Sequence, residues 1–181
     1  MATGSRRTFL QTVVYTGVGG YLAIATGACR RTSLRNQSEP GHAFFTEAEY
    51  ATVAAACERI LPRDEDPGAI DLGVPVYVDR ALAHDDYLHW ADRFRKGVQA
   101  LDAEAQSRAG KAFHDLAADA QDDIVEDWES GSAEQQEFFR MLMHLTLEGA
   151  FGDPSHGGNK DGLGWRLIGF APGPPMPGMH H

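Results

Sequence analysis

The sequence predicts an all-α orthogonal bundle of five or six helices followed by an irregular, Gly-rich C-terminal segment. Three observations carry this. Apolar residues recur at helical spacing from Tyr50 to Leu145. Two capping boxes, Thr46 with Glu49 and Ser132 with Gln135, mark helix starts. No stretch alternates as a strand, and no internal repeat is present.

The elements follow in order. Residues 30–43, "RRTSLRNQSEPGHA", are polar without an apolar period and read as a tether, so structure should begin at Thr46. Tyr50, Val53, Ala54, Cys57, Ile60 and Leu61 then form one helical stripe that Pro62 stops. A turn-rich crossing through Asp66-Pro67-Gly68 feeds a short helix from Pro75 to Ala83. A longer helix runs from Tyr87 to Ala109, with Leu88, Ala91, Phe94, Val98, Leu101 and Ala105 on one face. Two shorter helical pieces cover Lys111–Leu116 and Ala120–Trp128. After Ser132, the residues Phe138, Met141, Leu142 and Leu145 form a buried face that should end near Gly149. The expected organisation is a leader over 1–28, a linker over 29–43, the helical domain over 44–171 and an extended Pro/Gly-rich tail over 172–181.

Composition narrows the function. The formal charge of the 181-residue chain is -10, and from Cys29 onward 14 basic residues face 26 acidic ones. Such a surface repels phosphate backbones, so nucleic acid is not an expected partner. Cys29 and Cys57 are too few for a disulfide framework or an iron–sulfur cluster, and no C-x-x-C-H pattern is present to attach haem. The two cysteines either pair in an oxidising compartment, or Cys57 is a small buried helix residue and Cys29 belongs to the leader.

The N-terminus reads as an export signal. Arg6 and Arg7 precede an uncharged run from Thr8 to Ala28, and Ala23-Ile24-Ala25 offers a small-residue cleavage site. The run is long enough for an uncleaved anchor, which stays open as an alternative. "SRRTFLQ", with Arg6, Arg7, Phe9 and Leu10 in place, closely resembles the twin-arginine signal, whose route moves proteins already folded; only Gln11 departs. "TGAC" bears a fainter likeness to a lipoprotein box, which would lipidate Cys29.

Candidate chemistry is sparse. Asp122, Asp123, Glu126 and Asp127 place like charges on one helical face, the pattern of a solvated surface, with Ile124, Val125 and Trp128 turned inward. His84 and His89 are five residues apart, about 140° around a helix, and make poor co-ligands for a metal. His144 is read as a packed or surface histidine in preference to a general base. No G-x-S-x-G elbow, phosphate-binding loop or dinucleotide fingerprint occurs.

The remaining candidate is Gly152–Phe170, where six glycines and a proline crowd around His156, Asn159, two Asp and Trp165. A backbone so contorted could cradle an anion through its amides, although no helix start is evident after the glycines. It is also the pattern of a rigid Ω-type cap packed on the bundle by Phe151, Trp165, Ile168 and Phe170.

The same residues carry a family resemblance. "GAFGDPSHGGNKDGLGWRLIGF" resembles the signature of the gluconate 2-dehydrogenase subunit 3 family, with Asp-Pro, Gly-Gly-Asn, a basic residue, Asp-Gly, Gly-Trp and Ile-Gly-Phe in order. "TEAEYATVAAACERILPRDEDPGA" and "LGVPVYVDRAL" resemble its N-terminal half, so the likeness spans about residues 44–171. His156 stands where an aromatic is more usual. The resemblance implies a cofactor-free accessory subunit of a periplasmic, membrane-associated dehydrogenase. FAD would sit in a large glucose–methanol–choline-type flavoprotein subunit and haem c in a third, cytochrome subunit. The small subunit's leader would engage the twin-arginine translocase for both chains. In this frame the loop is the expected partner contact, with Trp165 as aromatic anchor, Asp153, Asn159, Lys160 and Asp161 as polar contacts, and His156, Gly157 and Gly158 also partner-binding. An alternative expectation is that loop 152–166 completes the large subunit's substrate pocket, with His156 or Asn159 touching sugar hydroxyls. A third is a free-standing periplasmic binding protein.

Overall fold

A computed structural model describes residues 41–173. Six α-helices follow one another: α1 (Glu47–Ile60), α2 (Val74–Ala83), α3 (Leu88–Ala109), α4 (Ala118–Glu129), α5 (Ala133–Phe151) and the short α6 (Leu163–Leu167). Single 3-10 turns occupy Asp85–Tyr87, Phe113–Asp115, Pro154–His156 and Lys160–Gly162, and the described residues contain no strand. The expected all-α architecture is what the chain adopts. The leader residues Arg6, Arg7, Phe9 and Leu10, the lipid or disulfide readings of Cys29, and the tail beyond Gly173 lie outside the described residues.

Local signals placed most helix ends. At α1 the Thr46 hydroxyl accepts from Glu49 N–H at 3.3 Å, and the Glu49 carboxylate accepts from Thr46 N–H at 3.0 Å. Ser132 and Gln135 do the same for α5 at 3.3 and 2.7 Å. Each box satisfies two of the amide donors that a helix start leaves without partners. Pro75 falls in the first turn of α2, where the missing N–H costs nothing. Helix α5 packs against every other helix, and Phe94, Leu101, Ile124, Leu142 and Leu145 fill the space around it with almost no exposure. The acidic face of α4 is as expected. Asp123, Glu126 and Asp127 are exposed, Asp122 lies 3.6 Å from Arg59, and Ile124, Val125 and Trp128 are buried.

Three expectations are corrected. First, the fold does not begin at Thr46. Phe45 is fully buried, and the N–H groups of Ala43, Phe44 and Phe45 all donate to the Asp79 carboxylate on α2, at 2.6, 2.9 and 3.0 Å. Arg95 covers Phe44, its guanidinium carbon 4.0 Å from the ring centroid. Second, Lys111–Leu116 is only the turn Phe113–Asp115. Asp102 accepts from Phe113 N–H at 2.9 Å and Gln121 donates to Phe113 C=O at 2.9 Å, and this side-chain pairing replaces a helical ladder. Third, α5 runs past Gly149 to Phe151. Gly149 is an interior position against which Tyr77 packs: a Cβ there would lie 2.9 Å from the Tyr77 ring.

Cys57 is wholly buried on α1, and burial pushes its thiol up to about 12. It is the inert core residue of one sequence reading. No helix among the described residues is long and apolar enough to cross a membrane.

Candidate functional site

The segment from Gly152 to Phe170 folds back over the C-terminal end of α5. A helix end leaves its last four carbonyls without intrahelical donors, and this segment supplies donors to three of them, those of Glu148, Gly149 and Phe151. Gly152 N–H bonds Glu148 C=O at 2.8 Å, and Asn159 N–H bonds Gly149 C=O at 2.7 Å. The Trp165 indole N–H reaches Phe151 C=O at 2.8 Å. The Asn159 side chain donates to Gly152 C=O at 2.7 Å while its oxygen accepts from Gly164 N–H at 2.8 Å. Lys160 N–H ties the loop to the α1–α2 crossing through Leu72 C=O at 2.9 Å.

The residue types follow from this closure. A Cβ at Gly158 would sit 2.2 Å from Gly149 C=O, and one at Gly164 would sit 1.9 Å from Ala150 C=O. Any side chain at either position would push the loop off the helix. Asn159 (φ 43°) and Asp161 (φ 56°) hold left-handed geometry, which short polar residues tolerate best.

The predicted contact residues separate accordingly. Asp153, His156, Lys160 and Asp161 are exposed, and Gly157 and Trp165 are half-buried. Gly158 and Asn159 are buried. Asn159 has no exposed surface and both ends of its amide are used within the loop, which removes it from the expected polar contacts and from any hydroxyl-binding role. The Ω-type cap is also only partly as expected: Phe151 and Trp165 pack inward, but Ile168 and Phe170 are more than half exposed. A helix start does follow the glycines, since α6 begins at Leu163, although with five residues it is too short to hold an anion.

Beside the loop lies a cleft of about 330 Å³ that sequence reading did not single out, lined by Tyr77, Arg80, His84, Tyr87, Glu148 and His156. Tyr87 donates to the Glu148 carboxylate at 2.7 Å, and the Tyr77 and Tyr87 hydroxyls stand 3.4 Å apart. Burial pushes the Tyr77 hydroxyl well above the usual phenol range, and its bonds to Tyr87 and Glu148 act in the same direction. Burial likewise raises Tyr87. The signal was present along α2, where Tyr77, Arg80 and His84 fall at i, i+3 and i+7. Of the predicted loop residues only His156 reaches this cleft.

The histidines weighed as ligands or bases stand apart. His84 and His89 are both exposed. His144 is exposed as well, 3.4 Å from Glu148 and edge-on to Trp90. No group of three or more His, Cys, Asp or Glu among the described residues is placed to hold a metal ion.

The fold and the loop together define a small, acidic all-α domain whose last long helix is closed by a self-bonded Gly-Gly-Asn…Asp-Gly…Gly-Trp cap. The sequence profile of gluconate 2-dehydrogenase subunit 3 matches residues 47–173, and the chain belongs to that family. Membership implies a place in a multi-subunit dehydrogenase complex. No curated protein matches the chain, and no solved structure does.

Proposed function

We propose that this chain is the accessory small subunit of a flavin-dependent sugar or sugar-acid dehydrogenase, and that it stabilises the catalytic flavoprotein and carries it to the periplasm. The observation that carries the reading is the joining of two features in one chain: the subunit 3 domain over residues 47–173 and the "SRRTFLQ" leader. A route that exports folded proteins suits a small subunit that travels with a larger one already loaded with cofactor. In this reading FAD belongs to the large glucose–methanol–choline-type subunit and haem c to a cytochrome subunit that takes the electrons. The complex is held at the periplasmic face of the membrane. This chain contributes binding surface and a rigid helical brace.

The test is export. Arg6→Lys with Arg7→Lys should leave both this chain and the flavoprotein subunit in the cytoplasmic fraction, with dehydrogenase activity lost from the periplasmic side. Unchanged export of the flavoprotein would overturn the reading.

A second reading, in which the loop helps to form the large subunit's substrate pocket, is favoured by the polar cleft beside it. His156 lines that cleft and is exposed, whereas Asn159 is excluded by burial. Under this reading His156→Ala would raise KM of the assembled complex several-fold with the complex still intact. An unchanged KM leaves the bracing role alone.

A further inference from the structure

A second pocket, of about 230 Å³, shares no residue with the cleft or the glycine loop. Gly97 and Ala100 of α3, Trp128 of α4 and Met141 of α5 line it, and the surface it presents is mostly apolar. Its walls are fixed by packing. A Cβ at Gly97 would lie 2.0 Å from the Phe138 ring, so the missing side chain is what lets Phe138 close on α3. Phe138 in turn meets the Trp128 ring edge-on, with centroids 5.6 Å apart, and Trp128 and Met141 are both buried.

The decisive residue is Trp128. It is only 3 % exposed, and its indole N–H is buried without an acceptor among the described residues. The contrast with Trp165 is direct, since that indole N–H has Phe151 C=O at 2.8 Å. A buried donor without an acceptor is costly, and an oxygen placed in the pocket that Trp128 lines would remove the cost. Gln135 adds to the same demand: its oxygen is taken by Ser132 N–H at 2.7 Å, which leaves its NH₂ group as a further donor at the pocket. Charge is balanced around the rest of the lining. Arg93 and Lys96 are matched by Glu134 and Glu137, and Arg93 is already bonded to Glu137 at 2.6 Å, so a ligand without net charge is the one favoured. An apolar cavity of roughly 150 Å³ holds benzene. The thioether of Met141 makes favourable contact with a ring, and the small residues Gly97 and Ala100 let a flat one approach α3.

We propose that this pocket binds a small, neutral aromatic molecule that carries a carbonyl oxygen, its ring against Gly97, Ala100 and Met141 and its oxygen accepting from the Trp128 indole N–H. The apolar lining supplies affinity and the indole supplies selection, because a ring of the same shape without the oxygen leaves the donor unpaired. The site is independent of the accessory-subunit reading and of the contacts that the glycine loop makes.

The experiment is a titration of the full-length chain, labelled with ¹⁵N in its tryptophans and ¹³C in its methionine methyls, with two probes of similar shape: acetophenone, which has the carbonyl, and ethylbenzene, which lacks it. Affinity is read from the Met141 methyl and the hydrogen bond from the Trp128 indole proton, each assigned by substitution. Acetophenone should bind saturably and about 10-fold more tightly than ethylbenzene, and it alone should move the Trp128 indole proton downfield. Trp128→Phe, which keeps a ring and removes the donor, should bring the two probes to equal affinity. Ala100→Phe, at an exposed position on the wall, should weaken both probes about 10-fold with the fold intact. Should Trp128→Phe melt early by circular dichroism, the parental indole shift and Ala100→Phe decide alone. Equal affinity of the parent for the two probes would show that solvent satisfies the indole N–H and would overturn the proposal. Shifts that do not saturate, or that persist at parental affinity in Ala100→Phe, would overturn it as well.

Discussion

The two ends of the helical domain are closed by the same device, a single buried polar side chain that takes several backbone groups, yet the two were not equally visible. At the N-terminal end Asp79 accepts from three consecutive N–H groups, those of Ala43, Phe44 and Phe45. At the C-terminal end Asn159 donates to Gly152 C=O and accepts from Gly164 N–H. The chemistry differs with the need. Three donors require a group that only accepts, and an ionised carboxylate does so. One donor and one acceptor require an amide. The reach differs as well: Asp79 acts across 34 to 36 residues and Asn159 across five to seven.

The comparison can be broken first at Asp79. Replacing it with Ala would leave three N–H groups without partners in a nearly closed site and should destabilise the domain by about 3–5 kcal/mol. Asp79→Asn, which keeps one acceptor oxygen, should cost about half as much. Urea unfolding would measure both, and near-equal losses would mean that the carboxylate's two-oxygen acceptance is not what closes this end.

Next in size is Asn159→Ala, expected to cost roughly 2–4 kcal/mol: two buried partners are lost and a side chain without a polar group must hold left-handed geometry. Asn159→Asp should cost no less, because a carboxylate cannot donate to Gly152 C=O. Hydrogen exchange would localise the damage. Faster exchange confined to α6 and the last turn of α5 supports local closure, whereas uniform acceleration would make Asn159 a determinant of the whole fold.

Between the two ends the core itself responds to pH. The Cys57 thiol is raised to about 12 from an ordinary value of 9.0. In the unfolded chain it ionises above pH 9 while the folded thiol keeps its proton, so the folded state binds more protons and loses stability as pH rises. The stabilisation is therefore complete below pH 9 and falls by about 1.4 kcal/mol per pH unit up to about pH 12. Tyr77, raised still further by burial, adds a second loss beginning where free tyrosines ionise. Unfolding curves at pH 8, 9, 10 and 11 on the parent and on Cys57→Ala would separate the two. An unchanged slope in the variant would show that the thiol is not the group responsible.

Much of the fold was legible because it is written locally. Helix starts depend on residues three apart, which is why Thr46 with Glu49 and Ser132 with Gln135 could be read directly. The stripe of α3 was legible for the same reason: its residues Ala91, Phe94, Val98, Leu101 and Ala105 are the buried ones, whereas Leu88, at the first position of the helix, is exposed. Gly149 misled because a glycine that ends a helix and one that admits a neighbouring Tyr77 look alike in sequence. Phe44 and Phe45 were missed because the tether before them is polar and their partner lies on another helix. In the loop, the glycines were legible as a contorted cap, but Asn159 could not be told from a surface contact, because its two partners, Gly152 C=O and Gly164 N–H, meet it only once the loop has closed on α5. The cleft was missed because Tyr77 and Tyr87 meet Glu148 only when α2 and α5 cross.

The set of helices and their caps follows from the sequence directly, since these are fixed by forces acting within about one helical turn. Packing between separate elements fixes which polar groups are consumed inside and which surface is left over. Asp79 is buried because the segment before α1 brings three backbone N–H groups to it from 34 to 36 residues away, and Asn159 because the loop folds back on the end of α5. Leu167, Ile168 and Phe170 remain exposed because α6 ends at the rim of the bundle, with no further described element to cover them.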